Sequence, residues 1–237
     1  AASRDARAEA FTGDPERPNR ENYYPAPGTH RLEFHGSAGQ GFGAFLVPGL
    51  ELRVEGEAND SVGKSMCGGR IILRPPAAAV FVAHEQVILG NCALYGATGG
   101  ELFAHGRAGD RFAVRNSGAR CVVEGVGLHA CEYMTGGSVL VLGPLGANAG
   151  AGMTGGELFA RTSEASKVDG IYLAALELDD AARERLRQLV SDHYAATNSA
   201  SAKAILDGGV EALAQFTRFL PHRIAEAEAE AEARASA

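Results

Sequence analysis

The sequence predicts an all-β chain wound as a parallel β-solenoid, at about 19 residues per turn, closed by a C-terminal helical segment. Glycine spacing is the first reason. Gly90, Gly109, Gly127 and Gly146 follow one another at steps of 19, 18 and 19, and Gly100, Gly118, Gly137 and Gly156 at steps of 18, 19 and 19. A third track, Gly106, Gly125 and Gly143, keeps steps of 19 and 18. The second reason is what lies between the tracks. Glu101–His105, Ala119–Glu124 and Ser138–Leu142 are short β-prone runs with glycine at both ends. The third is a duplicated heptapeptide, Thr-Gly-Gly-Glu-Leu-Phe-Ala, which stands at 98–104 and again, three turns later, at 154–160. A coil of strands bends sharply about three times per circuit, and glycine reaches left-handed backbone conformations without a Cβ penalty. A β-propeller repeats at roughly 40–50 residues and fits this spacing poorly.

The elements follow in order. Residues 1–30 are polar and interrupted by Pro15, Pro18, Pro25 and Pro27, a composition expected of a mobile arm or linker. Residues 31–178 form the repeat region, expected to stack as about seven turns at roughly 4.8 Å each, a rod on the order of 35 Å long. From Gly69 to Gly100 the step is 31, one turn plus a surplus of about 12. The surplus is assigned to the Pro75-Pro76-Ala77-Ala78-Ala79 segment, bulging from one corner. Met66, Met134 and Met153 each precede a corner of the form (Cys/Thr)-Gly-Gly, as expected of an interior column. Residues 179–221 change period. Asp179 or Asp180 suits an N-cap ahead of Leu186, Leu189, Val190 and His193 at helical spacing. Ser199–Leu206 and Val210–Leu220 read as further helices, split by Gly208-Gly209 and docked on the end or side of the solenoid. Residues 222–237 form a Glu/Ala-rich charged tail.

Composition removes several function classes. The net charge of -7 disfavours a nucleic-acid surface. No apolar run reaches the roughly 20 residues that span a bilayer. The polar opening stretch, Ala1–Arg20, does not read as a signal peptide, and a cytoplasmic location is expected. The chain opens without Met, as a fragment or a processed product would. Cys67, Cys92, Cys121 and Cys131 lack metal-site spacing and are expected to be small buried hydrophobes in a reducing compartment.

Several motifs resemble sites without meeting their structural requirements. Ala58–Ser65 approximates a phosphate loop, but a glycine corner and a β run follow it, not a helix. Gly39-Gln-Gly-Phe-Gly43 and Gly125-Val-Gly127 are incomplete dinucleotide fingerprints. Asn59, Asp60 and Lys64 form one set that an enzyme reading would use, and His129 and Glu132, beside Cys131 and Tyr133, form another. Neither set supplies a nucleophile with a base. The sequence therefore assigns no catalytic, cofactor-binding or metal-binding residue.

Five ordered blocks carry a family likeness: Gly36-Ser-Ala-Gly-Gln-Gly-Phe-Gly-Ala-Phe45, Gly56–Lys64, Gly90–Thr98, Arg111–Ala119 and Val122–Gly137. Together they resemble the C-terminal Gly-x-Gly-x-Gly repeat domain of the glutamate synthase large subunit, over about Arg31 to Pro221. The resemblance implies a right-handed parallel β-helix. It also implies a structural, non-catalytic role in glutamate biosynthesis and ammonia assimilation. In that family a glutaminase domain releases ammonia, and a synthase domain with FMN and an iron–sulfur cluster makes glutamate, with NADPH or ferredoxin as donor. Those cofactors are expected only outside this chain, with the glutaminase and synthase domains as its partners. A stand-alone subunit of a related amidotransferase or of a formylmethanofuran dehydrogenase-like complex is the alternative. Residues 1–30 depart from what the family places ahead of the repeat.

Overall fold

The computed structural model describes residues 30–235. The arm expected over residues 1–30 thus lies outside the described residues, except for His30. The rest is a β-solenoid of about seven turns at about 19 residues per turn. Its main sheet stacks, in order, β1 (His30–Ala38), β2 (Leu50–Ala58), β3 (Cys67–Arg74), β5 (Gly99–Ala104), β7 (Ser117–Val123), β8 (Thr135–Val141) and β9 (Gly155–Arg161), all parallel. Two short strands, β4 (Val87–Leu89) and β6 (Arg107–Ala108), pair on another side of the coil.

Side-chain alternation along each strand builds two cores, one inside the coil and one outside it. Ile71 and Leu73, Leu102 and Ala104, Cys121 and Val123, Val139 and Val141 point inward. The residues between them, Ile72, Phe103, Val122, Leu140 and Phe159, are in register and form an outer apolar column. Helix α1 (Asp180–Thr197) covers that column with Ala182, Leu186, Leu189 and Val190, and α2 (Ala200–Asp207) adds Ala202 and Ile205. The helices thus dock on the side of the coil. Asp179 is the N-cap, its carboxylate accepting from the Ala182 amide at 2.6 Å. The break at Gly208 and Gly209 separates α2 from the short α3 (Gly209–Leu213).

The helix expected over Val210–Leu220 is helical only as far as Leu213, and its second part is instead a strand. Phe216–Pro221 forms β11, antiparallel to both β9 and β10 (Leu173–Leu176). The last coil would otherwise present the unpaired backbone edge of β9, and pairing with that edge outweighs the weak helical spacing of this segment. Pro221 ends β11, and α4 (His222–Ala235) follows.

The corners hold a second backbone ladder that the glycine pattern only partly announced. In six successive coils three alternate residues take positive φ: 41, 43 and 45; 61, 63 and 65; 92, 94 and 96; 111, 113 and 115; 129, 131 and 133; 148, 150 and 152. Twelve of these eighteen positions are not glycine; they include Leu94, Arg111, Ala113 and Tyr133. Such residues rarely occupy this region. The alternation turns successive amides to opposite sides. Arg111 N donates forward to Leu128 O at 2.8 Å, Ala113 N backward to Ala93 O at 2.8 Å, and Arg115 N forward to Glu132 O at 2.9 Å. The coils above and below repeat the scheme, so inter-coil hydrogen bonds offset a strain of about 1 kcal/mol or more per left-handed residue.

The regular glycines mostly answer a different need. Gly100, Gly137 and Gly156 do have positive φ, at 94°, 89° and 82°, but Gly118 does not. A Cβ on Gly118 would lie closer than 3.0 Å to the backbone carbonyl oxygen of Thr98 in the preceding coil. The track Gly90, Gly109 and Gly127 also lacks positive φ. It lies under a side-chain ladder: Asn91 N donates to Asp60 Oδ1, Asp110 N to Asn91 Oδ1 and Leu128 N to Asp110 Oδ1, each at 2.8 Å. A Cβ on any of the three would collide with those oxygens.

Met66, Met134 and Met153 are buried in one interior column, as expected. Asn116 occupies the same column in its own coil and is fully buried. Its Oδ1 accepts from Gly118 N at 3.1 Å and Ala119 N at 2.8 Å, and its Nδ2 donates to Ala119 O at 3.0 Å. The cysteines divide: Cys121 and Cys131 are buried, but Cys67 is exposed and Cys92 half-buried, because the corner and strand start at those positions face outward.

Candidate functional site

The two residue sets considered from sequence are absorbed by the coil. Asp60 is a rung of the Asn/Asp ladder, and Lys64 lies over the Tyr95 ring, 5.8 Å from its centroid. His129 and Glu132 do pair, Nδ1 to Oε1 at 2.7 Å, on the outer face of a corner. Cys131 between them points into the core, where burial pushes its thiol up to about 12. That thiol is neither a nucleophile nor a ready thiolate ligand. Burial also holds Cys121 well above the ordinary thiol range, with the nearby Cys131 adding to the effect. Among the described residues no three His, Cys, Asp or Glu side chains are grouped to hold a metal ion.

Charge is organised along the whole coil. Arg31, Glu51, Arg70, Glu101, Arg120, Ser138 and Glu157 are successive partners across the main sheet, alternating in sign except at Ser138. Arg31 meets Glu51 at 2.7 Å, Arg70 meets Glu101 at 2.5 Å, Arg120 meets Glu101 at 3.0 Å and Ser138 donates to Glu157 at 3.0 Å. Beyond the last coil Arg218 grips Glu157 at 2.9 Å and Glu228 at 2.8 Å. Burial opposes ionisation of Glu51, but hydrogen bonds and charge from Arg53 and Arg31 leave it below the ordinary carboxylate range.

The least expected cluster surrounds Glu124, which is 1% exposed where β7 ends. Ser199, the N-cap of α2, donates its hydroxyl to Glu124 Oε1 and accepts from Ala202 N at 3.1 Å. His193 Nε2 stands 3.6 Å from Oε1 and His105 Nε2 3.9 Å from Oε2, too far for hydrogen bonds. Glu124 Oε2 and both ring nitrogens of His193 are buried with no partner, as is Arg107 Nε in the neighbouring segment. Burial works to raise the Glu124 carboxyl. The nearby imidazole of His193, the Ser199 hydroxyl and the His105 imidazole together outweigh burial and hold it below its usual range. The reverse balance holds for His105: burial lowers it, and Glu124 opposes this only in part. Ser199 is fully buried, donates to Glu124 and caps a helix, so its hydroxyl is committed to holding α2 against the coil. The sequence offered one signal here, a charged residue inside the apolar run Val122–Val126, but its partners lie on segments folded back from far along the chain.

Glu124 is also among the residues lining a cleft of about 390 Å³, with His84, Pro144, Arg161, Ser201 and Gln215. Arg161 is committed within that wall, donating to Leu142 O at 2.7 Å and Gln215 Oε1 at 2.9 Å.

The chain matches the family model described as GXGXG motif over residues 22–222. The chain belongs to the GXGXG family. It is 50% identical over 198 residues to the ferredoxin-dependent glutamate synthase of Pyropia yezoensis, an alignment covering 82% of this chain and 13% of that protein. It is 53% identical over 180 residues to the ferredoxin-dependent glutamate synthase of Cyanidium caldarium, covering 74% of the chain and 12% of that protein. The glutamate synthase [NADPH] large chain of Bacillus subtilis is 44% identical over 199 residues, 81% of this chain and 13% of that one. This GXGXG chain thus matches the GXGXG domain of glutamate synthases and spans about one eighth of the length of these relatives. Among the described residues no helix is long and apolar enough to cross a membrane.

Proposed function

We propose that this chain is the structural, non-catalytic β-helix of a glutamate synthase. It holds a glutaminase domain and a synthase domain in register, so that ammonia passes between them during glutamate formation. FMN, the iron–sulfur cluster and the site for NADPH or ferredoxin lie outside this chain. The single observation that carries this reading is the continuous double ladder. Strand bonds and corner bonds repeat in every coil, which makes the stack stiff along its axis. Transfer of a small intermediate depends on a fixed distance, and a stiff rod maintains one. Polar side chains support the reading too, since several tie one coil to the next or a helix to the coil.

The test uses the full-length synthase carrying Gly118→Ala, which strains one coil of this chain. Glutamine-driven glutamate formation falls, while glutamate formation from added ammonia is retained. Equal loss of both activities, or loss of neither in a demonstrably loosened coil, contradicts the reading. The mass of the native polypeptide separates it from a free-standing subunit of a related complex.

A further inference from the structure

The insert that breaks the coil period carries the least covered apolar surface of the solenoid. After Pro75-Pro76 come three alanines, then Val80, fully exposed, with Phe81 44%, Val82 49% and Val87 58% exposed. Consecutive exposed apolar residues of this size are costly in water and mark a surface that meets a partner. The insert is continuous with the Glu124 cleft, because His84, in its Ala83–Glu85 turn, is one of the cleft walls. Glu124 is among the residues lining the cleft, and the Oε2 of its buried carboxylate has no donor. A carboxylate oxygen desolvated without a donor is unfavourable until a donor arrives. His105 does not provide that donor at 3.9 Å, and Arg161 is already occupied. Apolar surface beside a buried orphan acceptor is the arrangement that an interface arginine or lysine fills: its stem covers carbon and its head group reaches the carboxylate.

We propose that the Val80–Val82 insert and the Glu124 cleft form one docking face. Its occupant is a segment of the remaining synthase polypeptide that bears an Arg or Lys flanked by apolar residues. This rests on the glutamate synthase reading. In the relatives compared, some seven eighths of the protein lies outside the matched region, so the partner surface is carried by the same molecule. The cleft, at about 390 Å³, holds one such side chain with room for bridging water.

Hydrogen exchange of residues 77–87, measured in the 237-residue chain and in the full-length synthase, tests the proposal. The expected result is exchange slowed about tenfold or more in the full-length protein. Val80→Asp, a change at a fully exposed site, removes that protection, and Glu124→Gln weakens it. A benzophenone side chain placed at position 80 cross-links to a segment containing Arg or Lys from the rest of the polypeptide. Equal exchange in the two proteins overturns the proposal, as does a cross-link to a second copy of the insert or to a segment without a basic residue. Glutamine-dependent glutamate formation by the same full-length preparation separates the two levels. If it is present while the insert stays unprotected, only the docking face fails; if it is absent, the synthase reading fails.

Discussion

Alanine substitutions at four glycines separate the two reasons for a glycine in this coil. At Gly39 a Cβ would meet nothing within 4 Å and φ is not left-handed, so Gly39→Ala should change stability by no more than about 0.5 kcal/mol. At Gly96 φ is +65° and the nearest atom, Ser65 Oγ, is 3.9 Å away. The cost there is conformational alone, about 1 kcal/mol. Gly118 inverts the case: an ordinary φ, but a Cβ closer than 3.0 Å to Thr98 O and at 3.0 Å from Thr98 C. Those are backbone atoms, so no side chain can swing aside. Relief requires parting two coils held on both sides by hydrogen bonds. Overpacking of about 1–3 kcal/mol plus a weakened ladder bond of about 1 kcal/mol gives roughly 3 kcal/mol. Gly137 combines φ of +89° with a similar clash against Ala119 O and should cost roughly 4 kcal/mol. Thermal unfolding of the 237-residue chain reads these out. For a chain this size 1 kcal/mol moves Tm by roughly 2–4 °C, so Gly118→Ala should lower it by roughly 6–12 °C. A smaller loss at Gly118 than at Gly96, or a loss at Gly39 equal to either, would refute the close-stacking argument.

Other consequences are equally specific. Asn116→Met would match the interior methionines in shape yet strand the Gly118 and Ala119 amides, so it should destabilise by about 1–3 kcal/mol in urea unfolding; a neutral result contradicts the assigned hydrogen bonds. Glu124 and His105 are both held below their ordinary values in the folded chain, so each contributes stability above its unfolded value. The His105 share should fade as pH falls below roughly 6.5, and the Glu124 share below roughly 4.3. Glu124→Gln should flatten the acid limb of a stability–pH curve, and an unchanged limb would exclude Glu124 as its source. Glu101→Lys puts a third cation between Arg70 and Arg120, and its penalty should shrink as salt is raised from 0.05 to 0.5 M, on the order of the Debye screening range. A penalty independent of salt would point to packing.

The solenoid was legible because strand stacking imposes a fixed period, and a period survives in sequence. Its cause was only half legible. Regular glycines suggested left-handed corners, yet Gly118, Gly90 and Gly109 are there because a neighbouring coil passes too close for a Cβ. Spacing cannot distinguish the two, since both recur once per turn. The true left-handed residues include Arg111, Leu94 and Tyr133, whose side chains give no local sign of that conformation. Inter-coil hydrogen bonds impose it from outside. Phe216–Pro221 became a strand for a similar reason: the partner that decides its state is the edge of β9. Glu124 stood out as a charge in an apolar run, but its cluster could not be assembled from sequence, because His105, His193 and Ser199 meet it only when α1 and α2 fold back on the sheet.

The corner ladder bears the most weight, and backbone amide exchange in the native chain examines it directly. The Ala113 and Cys131 amides, bonded backward to Ala93 O and Phe112 O at 2.8 Å, should exchange as slowly as the Leu102 and Val122 amides of the adjoining strands. Exchange at the rate of an open loop at these two positions would mean that the corners are not hydrogen-bonded between coils and that the rod lacks its second rail.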